Sequence, residues 1–135
     1  MGNLLKHFLL AVVLWTGLTL PARTEGVTGN QLLSICQFKD TDSQLTCNYF
    51  VAGNVDGLFT GAILVLMQAD NNSSTTAQLN AIAAQLIGIC GPENGATYEQ
   101  YKDIVVKYLF SHPELRHTSA KVLIYAALRE AFPCR

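Results

Sequence analysis

Charged and metal-binding side chains are scarce in this chain of 135 residues. It has nine basic and ten acidic residues and a net charge of −1, so it lacks the basic surface that binds a nucleic-acid backbone. Beyond the N-terminal segment the only histidines are His112 and His117, whose spacing of five does not place them on one helix face as metal ligands. No cysteine pair has a metal-type spacing. We therefore predict no nucleic-acid partner, no metal, no cofactor and no catalytic residue.

The chain also lacks an uninterrupted apolar run of the about 20 residues that a membrane span needs. Its N-terminus instead has the three parts of a secretory signal peptide: Lys6, an apolar stretch over 8–20, and the small Ala22 before a cleavage position. We predict a cleaved signal peptide at 1–22 and one domain at 23–135, with an uncleaved anchor as the alternative. Cleavage leaves eight basic and ten acidic side chains, a net charge of −2, and a protein that does not contact the membrane.

Four cysteines in an exported chain indicate two disulfides, for which three pairings exist. Cys36 ends one helical pattern and Cys47 opens the next, so a short helical hairpin would join them. Cys90 precedes the penultimate helix and Cys134 follows the last, and an antiparallel helix pair would return the chain to its starting end. We therefore predict the bridges Cys36–Cys47 and Cys90–Cys134. A catalytic or metal-binding cysteine is the alternative.

Apolar periodicity predicts five helices and no strand. Helix one follows a capping box at Thr28 and Gln31 and runs to Cys36, and a loop covers 37–44. Helix two spans 45–68, and helix three ends at Gly88. Helix four follows a second capping box at Thr97, and helix five begins at Pro113 and ends near residue 131. The predicted fold class is all-α, a compact bundle of about five helices stapled by two disulfides.

Three glycines of helix two recur every fourth residue, at Gly53, Gly57 and Gly61. This spacing places them on one face, where another backbone approaches closely. Such stripes are best known from membrane helices, but the apolar run beside them is only ten residues long. We therefore predict a buried core helix that packs through these glycines. On this view a leucine at position 57 destabilises the fold.

The chain resembles a known family in scattered but ordered matches that span nearly all of the predicted mature protein. It resembles the Tai immunity proteins, which act against type VI secretion amidases, and the related Rap immunity proteins of Gram-negative bacteria. The matching residues are Gly29 to Leu33, Cys36, Cys47, Tyr49, Gly53, Asp56, Gly57, Cys90 to Pro92, Tyr108, Leu109, His112 to Glu114, His117, Ala127, Leu128 and Ala131 to Cys134.

The resemblance implies a small helical periplasmic protein that binds and blocks a secreted peptidoglycan amidase, and hence an inhibitor rather than an enzyme. It also implies a homodimer whose surface covers the active-site cleft of the amidase. The most polar stretch of the chain is an exposed loop that we predict to enter that cleft, although an idle surface connection is the alternative. This loop comprises Asp70, Asn71, Asn72, Ser73, Ser74 and Thr75.

A second function from a different class fits the same composition. Small, helical, disulfide-bonded periplasmic chaperones or stress proteins expose apolar surface when their carboxylates are protonated in acid. A domain that kept the fold and lost its effector is a third alternative, since a fold does not determine a function.

Overall fold

Five α-helices make up the part of the chain that the computed structural model describes, residues 26–69, 74–92 and 95–134. The predicted signal peptide at 1–22 lies outside the described residues. A short 3-10 helix, Pro113–Leu115, separates the last two α-helices, and the described segments contain no strand. The predicted all-α bundle is therefore confirmed. The helices are α1 (Gly29–Gln37), α2 (Thr41–Ala69), α3 (Thr76–Ile87), α4 (Tyr98–Ser111) and α5 (Ala120–Ala131).

Three of these helices begin with the same capping box. In each, a threonine hydroxyl oxygen accepts from the backbone N–H of the glutamine three residues later, and the glutamine Oε1 accepts from the threonine backbone N–H at 2.8 Å. The arrangement satisfies two backbone donors that a helix start otherwise leaves unpaired. Two boxes were predicted, and the third begins α3. The pairs are Thr28–Gln31, Thr75–Gln78 and Thr97–Gln100.

Helix α2 begins earlier than the sequence pattern predicts, and the proposed loop over 37–44 is wrong for most of its length. The helix starts at Thr41, where Oδ1 of Asp40 accepts from the backbone N–H of Ser43 at 2.9 Å. This hydrogen bond favours the ionised carboxyl and lowers the pKa of Asp40. The polar residues that suggested a loop are instead the capped first turn of α2.

Helix α5 begins later than predicted, because the segment before it holds α1 in place. Pro113 opens the 3-10 helix rather than α5, which starts at Ala120. Between them, the carbonyl oxygens of Arg116 and Thr118 accept from the backbone N–H groups of Asn30 and Gly29 at 2.9 and 3.0 Å. The backbone between the 3-10 helix and α5 therefore bonds to the N-terminus of α1 instead of continuing a helix.

Helix α5 lies at the centre of the core and contributes five of its buried residues. The core is apolar: every fully buried residue in the described segments is a hydrophobic side chain or Gly29. Helices α1, α2 and α4 pack against α5, whereas α3 packs mainly on the C-terminal half of α2. The buried core cluster is Leu32, Leu33, Val51, Val55, Ile89, Val105, Leu109, Ala120, Leu123, Ile124, Ala127 and Leu128.

Both predicted disulfides are present. Cys36 and Cys47 join the end of α1 to the second turn of α2, with their Cα atoms 5.1 Å apart. Cys90 and Cys134 close the antiparallel pair of α4 and α5, with a Cα separation of 4.9 Å. The backbone N–H of Cys90 also donates to the carbonyl of Phe132 at 2.8 Å, so the second staple is supported by the main chain.

The glycines of α2 do not pack inside this chain as predicted. Gly53, Gly57 and Gly61 are all exposed, and a Cβ atom at any of them meets nothing within 4 Å. Only 11% of the most apolar stretch of α2 is buried. The prediction of a close-packed core helix is therefore wrong for this face, because α1, α3, α4 and α5 all pack on other sides of α2.

Candidate protein-binding surface

The described residues hold no cluster of side chains that suits metal binding. No group of three or more histidine, cysteine, aspartate or glutamate side chains that could bind a metal occurs in segments 26–69, 74–92 and 95–134. All four cysteines are oxidised to disulfides, which removes the thiol that a nucleophile needs.

His112 and His117 lie in the segment that follows α4. His112 is the C-terminal cap of α4, and its ring stacks on Tyr108 with centroids 4.1 Å apart. His112 Nδ1 also lies 3.0 Å from the carbonyl oxygen of Tyr108. His117 is exposed nearby. His112 is therefore a turn residue, and its contacts account for the position of its ring.

A groove of about 280 Å³ runs between α4 and α5 beside this turn. Lys107 and Glu130 line it together with Tyr108, and burial raises the pKa of the Tyr108 phenol. The volume lies below the about 300–1,000 Å³ of typical ligand pockets. The groove lies at the surface between the packed helices α4 and α5.

The hairpin formed by residues 57–69 of α2 and by α3, here called the uncharged hairpin, exposes large apolar side chains among uncharged polar ones. From position 57 to position 92 the only charged residue is Asp70. Ile82 and Leu86 recur at helical spacing with the buried Leu79 and Ala83, yet they are 48% and 61% exposed. Exposed apolar patches of this kind mark protein interaction sites. The large exposed side chains are Leu64, Val65, Met67, Ile82 and Leu86.

The outward side of α2 continues this surface toward the N-terminus of the helix. On this side the three glycines lie between larger residues. Tyr49 precedes them with 74% of its surface exposed, and Val65 follows them with 63% exposed. We call it the glycine face and define it by Tyr49, Gly53, Gly57, Gly61, Leu64 and Val65. Among the described helices, α2 alone is long and apolar enough to cross a membrane, by length and composition only, with a mean hydropathy of 1.7.

The predicted insertion loop connects the two helices of the uncharged hairpin. Residues 70–73 lie outside the described residues, so most of this predicted site has no structural account. Thr75 is exposed and caps α3, and Ser74 precedes it. The predicted site did not include the exposed apolar side chains of the helices on either side of this segment. The absence of charge over 57–69 and 71–92 was the signal that would have revealed them.

Comparison with known proteins gives one informative match. The Rap1a immunity protein family matches residues 28–134, which takes in every described helix and both disulfides. No curated protein and no solved structure matches significantly. Because the match spans well over half of the sequence, the chain belongs to the Rap1a immunity protein family.

Proposed function

We propose that this protein is a periplasmic immunity protein that binds and blocks a peptidoglycan amidase delivered by a type VI secretion system. The family match over residues 28–134 carries this proposal. The uncharged hairpin supports it, because an inhibitor needs an exposed surface that a partner protein can cover. The protein acts by binding, not as an enzyme, and it acts as a homodimer.

The two disulfides fit this function in location and in mechanics. Disulfides persist in oxidising compartments, which supports export of the chain to the periplasm. The bridges also restrict the motion of α1 against α2 and of α4 against α5. A scaffold that is rigid before binding loses less conformational entropy in the complex, so each contact with the amidase contributes more affinity.

The polar loop Asp70–Thr75 is the contact segment that we propose for entry into the amidase cleft. Its residues follow α2 and precede α3 in the sequence, and these two helices form the uncharged hairpin. Deletion of 71–74 is expected to weaken amidase binding while the helical content stays the same. The matched control is Glu114→Ala, which removes an exposed side chain of the 3-10 helix. Equal affinity of the deletion variant and the wild type would show that this loop is an idle connection.

A pull-down of the oxidised protein against candidate periplasmic amidases tests the function itself. The expected result is tight binding of one amidase together with inhibition of peptidoglycan cleavage. Failure to bind any amidase, combined with suppression of client aggregation at low pH, would replace immunity with the function of a periplasmic chaperone. The exposed apolar side chains of the hairpin are the feature that such a chaperone would use.

A further inference from the structure

Both disulfides join cysteines that are neighbours in the order of the chain, the first to the second and the third to the fourth. We propose that the chain is a substrate of a periplasmic thiol oxidase, which closes Cys36–Cys47 before Cys90–Cys134, and that it needs no disulfide isomerase. The inference rests on export to the periplasm, which is part of the proposed function, and not on the identity of the amidase.

Loop length alone does not select the partner of Cys90. Positions 47 and 90 are 43 residues apart, and positions 90 and 134 are 44 apart. Because the entropic cost of loop closure rises only with the logarithm of loop length, Cys90 of a reduced chain meets Cys47 as readily as it meets Cys134. The native second bridge therefore requires that Cys47 is already paired when Cys90 becomes available.

Cys36 is the partner that removes Cys47 from this competition. The loop between them spans 11 residues, so in a flexible chain it closes about eight times more readily than the loop from Cys47 to Cys90. An exported chain emerges from its N-terminal end, as a chain does in synthesis, so Cys36 and Cys47 meet before Cys90 is present. In the folded protein Cys47 is fully buried, and a thiolate cannot reach its sulfur to exchange the bridge.

The turn that brings the first two cysteines together is held by contacts inside its own loop. Gln44 Nε2 donates to the carbonyl oxygen of Cys36 at 3.1 Å and to that of Phe38. The backbone N–H of Gln44 donates to the carbonyl oxygen of Asp40 at 3.1 Å. All of these partners lie within 36–47. The first bridge is therefore prepared by residues that enter the periplasm before the third cysteine.

The second bridge depends on residues that emerge much later. The backbone N–H of Cys90 donates to the carbonyl of Phe132 at 2.8 Å, and the ring of Tyr101 packs edge to face on Phe132 with centroids 6.1 Å apart. The hydroxyl of Tyr125 donates to the carbonyl of Ile87 at 3.0 Å. These contacts hold the third and fourth cysteines together only after residues up to 134 have been exported.

Each bridge forms by two thiol–disulfide exchanges with the oxidase. The thiolate of the first cysteine of a pair attacks one sulfur of the oxidase disulfide, which forms a mixed disulfide and releases one oxidase thiolate. The thiolate of the second cysteine then attacks the chain sulfur of this mixed disulfide, which closes the bridge and releases the other oxidase thiolate. The two protons lost by the chain pass through solvent to the oxidase thiolates. The chain loses two electrons, and the oxidase disulfide is reduced to a dithiol.

Expression of the full chain with its signal peptide in Gram-negative hosts tests the proposal. One host is wild type, one lacks the periplasmic thiol oxidase and one lacks the disulfide isomerase. Free thiols are blocked at harvest, and non-reducing peptide mapping identifies the bridges. We expect loss of the two-bridge protein without the oxidase, and an unchanged yield and pairing without the isomerase. A lower yield or wrong bridges in the host without the isomerase, or full oxidation without the oxidase, overturns the proposal.

A fifth cysteine between the second and the third tests whether chain order controls the pairing. Ala77→Cys adds a thiol at an exposed position of α3, 13 residues before Cys90. Its loop to Cys90 closes about six times more readily than the native loop to Cys134, so this variant should mispair and need the isomerase. Ala77→Ser is the matched control that behaves as the wild type. Equal yields of Ala77→Cys with and without the isomerase would contradict the proposed order.

Oxidation of the purified, reduced and unfolded protein by glutathione disulfide tests the order of closure without export. Among species trapped with one intramolecular bridge, Cys36–Cys47 is expected to be the most abundant. A bridge between Cys47 and Cys90 of equal abundance overturns the proposal. Inhibition of an amidase by the purified two-bridge protein is measured separately and reports on the proposed function.

Discussion

The hydroxyl of Tyr98 on α4 donates to the carboxylate of Asp56 on α2, with oxygen-to-oxygen distances of 3.2 and 3.1 Å. The two residues are 42 positions apart, so the contact joins the start of α4 to the middle of α2. It raises the pKa of Tyr98 above that of an ordinary tyrosine, because ionisation would remove the donated hydrogen and place a phenolate beside a carboxylate.

Asp56→Asn is therefore expected to lower the pKa of Tyr98 toward that of an ordinary tyrosine. Since the folded-state pKa is the higher one, the stabilising contribution of the contact is complete below the unfolded pKa. It is lost as the pH rises through the folded pKa. Phenol absorbance during alkaline titration measures the shift, and Tyr98→Phe identifies which transition belongs to this residue. An unchanged titration in Asp56→Asn would show that the contact does not form in solution.

Gly29→Ala is expected to destabilise the fold by about 2 kcal/mol, in the range of overpacked core sites. The added Cβ would meet the Leu123 side chain and lie 3.0 Å from the backbone of Arg116, which cannot rotate away. Gly57→Ala is the matched control in another helix, where the same change should stabilise α2 by up to about 1 kcal/mol. Urea denaturation of both variants measures the difference. Equal effects would mean that α1 does not approach the 116–119 segment as described.

Removal of the two disulfides is expected to have unequal effects. Replacing both Cys90 and Cys134 with serine should cost about 4 kcal/mol, and replacing Cys36 and Cys47 about 2.5 to 3 kcal/mol, because the first pair closes a loop of 44 residues and the second one of 11. Thermal unfolding of the two double variants shows which disulfide contributes more to the stability of the fold. The reverse order would show that loop closure does not dominate the contribution of these bridges.

Thr97→Ala should lower the free energy of unfolding by about 1 kcal/mol, since it removes the hydroxyl that accepts from Gln100 N–H at the start of α4. Thr60→Ala, at an exposed position in the middle of α2, is the comparison without a capping role. Guanidinium unfolding of both proteins gives the difference. If the two variants are equally stable, the capping box contributes nothing to the fold.

Local chemistry explains which parts of the fold the sequence reveals. The boxes at Thr28 and Thr97 depend on residues three apart, and both were predicted. Gly88 ends α3 with a φ of 70°, as expected for a glycine in a left-handed cap. The disulfide pairing followed from the direction of the helices. The caps are set by residues close in the sequence, and the pairing of Cys90 with Cys134 follows from the antiparallel direction of the two helices between them.

Two features were missed although residues three apart set them, the start of α2 at Thr41 and the capping box at Thr75. Other errors arose where a distant contact decides the structure. The start of α5 at Ala120 follows from hydrogen bonds between the 116–118 carbonyls and α1, which no local pattern encodes. The glycine spacing at Gly53, Gly57 and Gly61 identified a face without side chains, but a spacing does not say which molecule approaches that face. The same limit applies to Ile82 and Leu86. Their spacing in α3 is that of a buried helix face, but their side chains are exposed in the bundle.

The placement of the disulfides divides the chain into two closed covalent rings, 36–47 and 90–134, joined by an open segment at 48–89. A single peptide-bond cut inside either ring leaves one covalent molecule. A cut in the open segment, which contains the loop at 70–75, releases two pieces that each carry a ring. Non-reducing electrophoresis after limited proteolysis therefore reads directly whether a bound partner shields the uncharged hairpin.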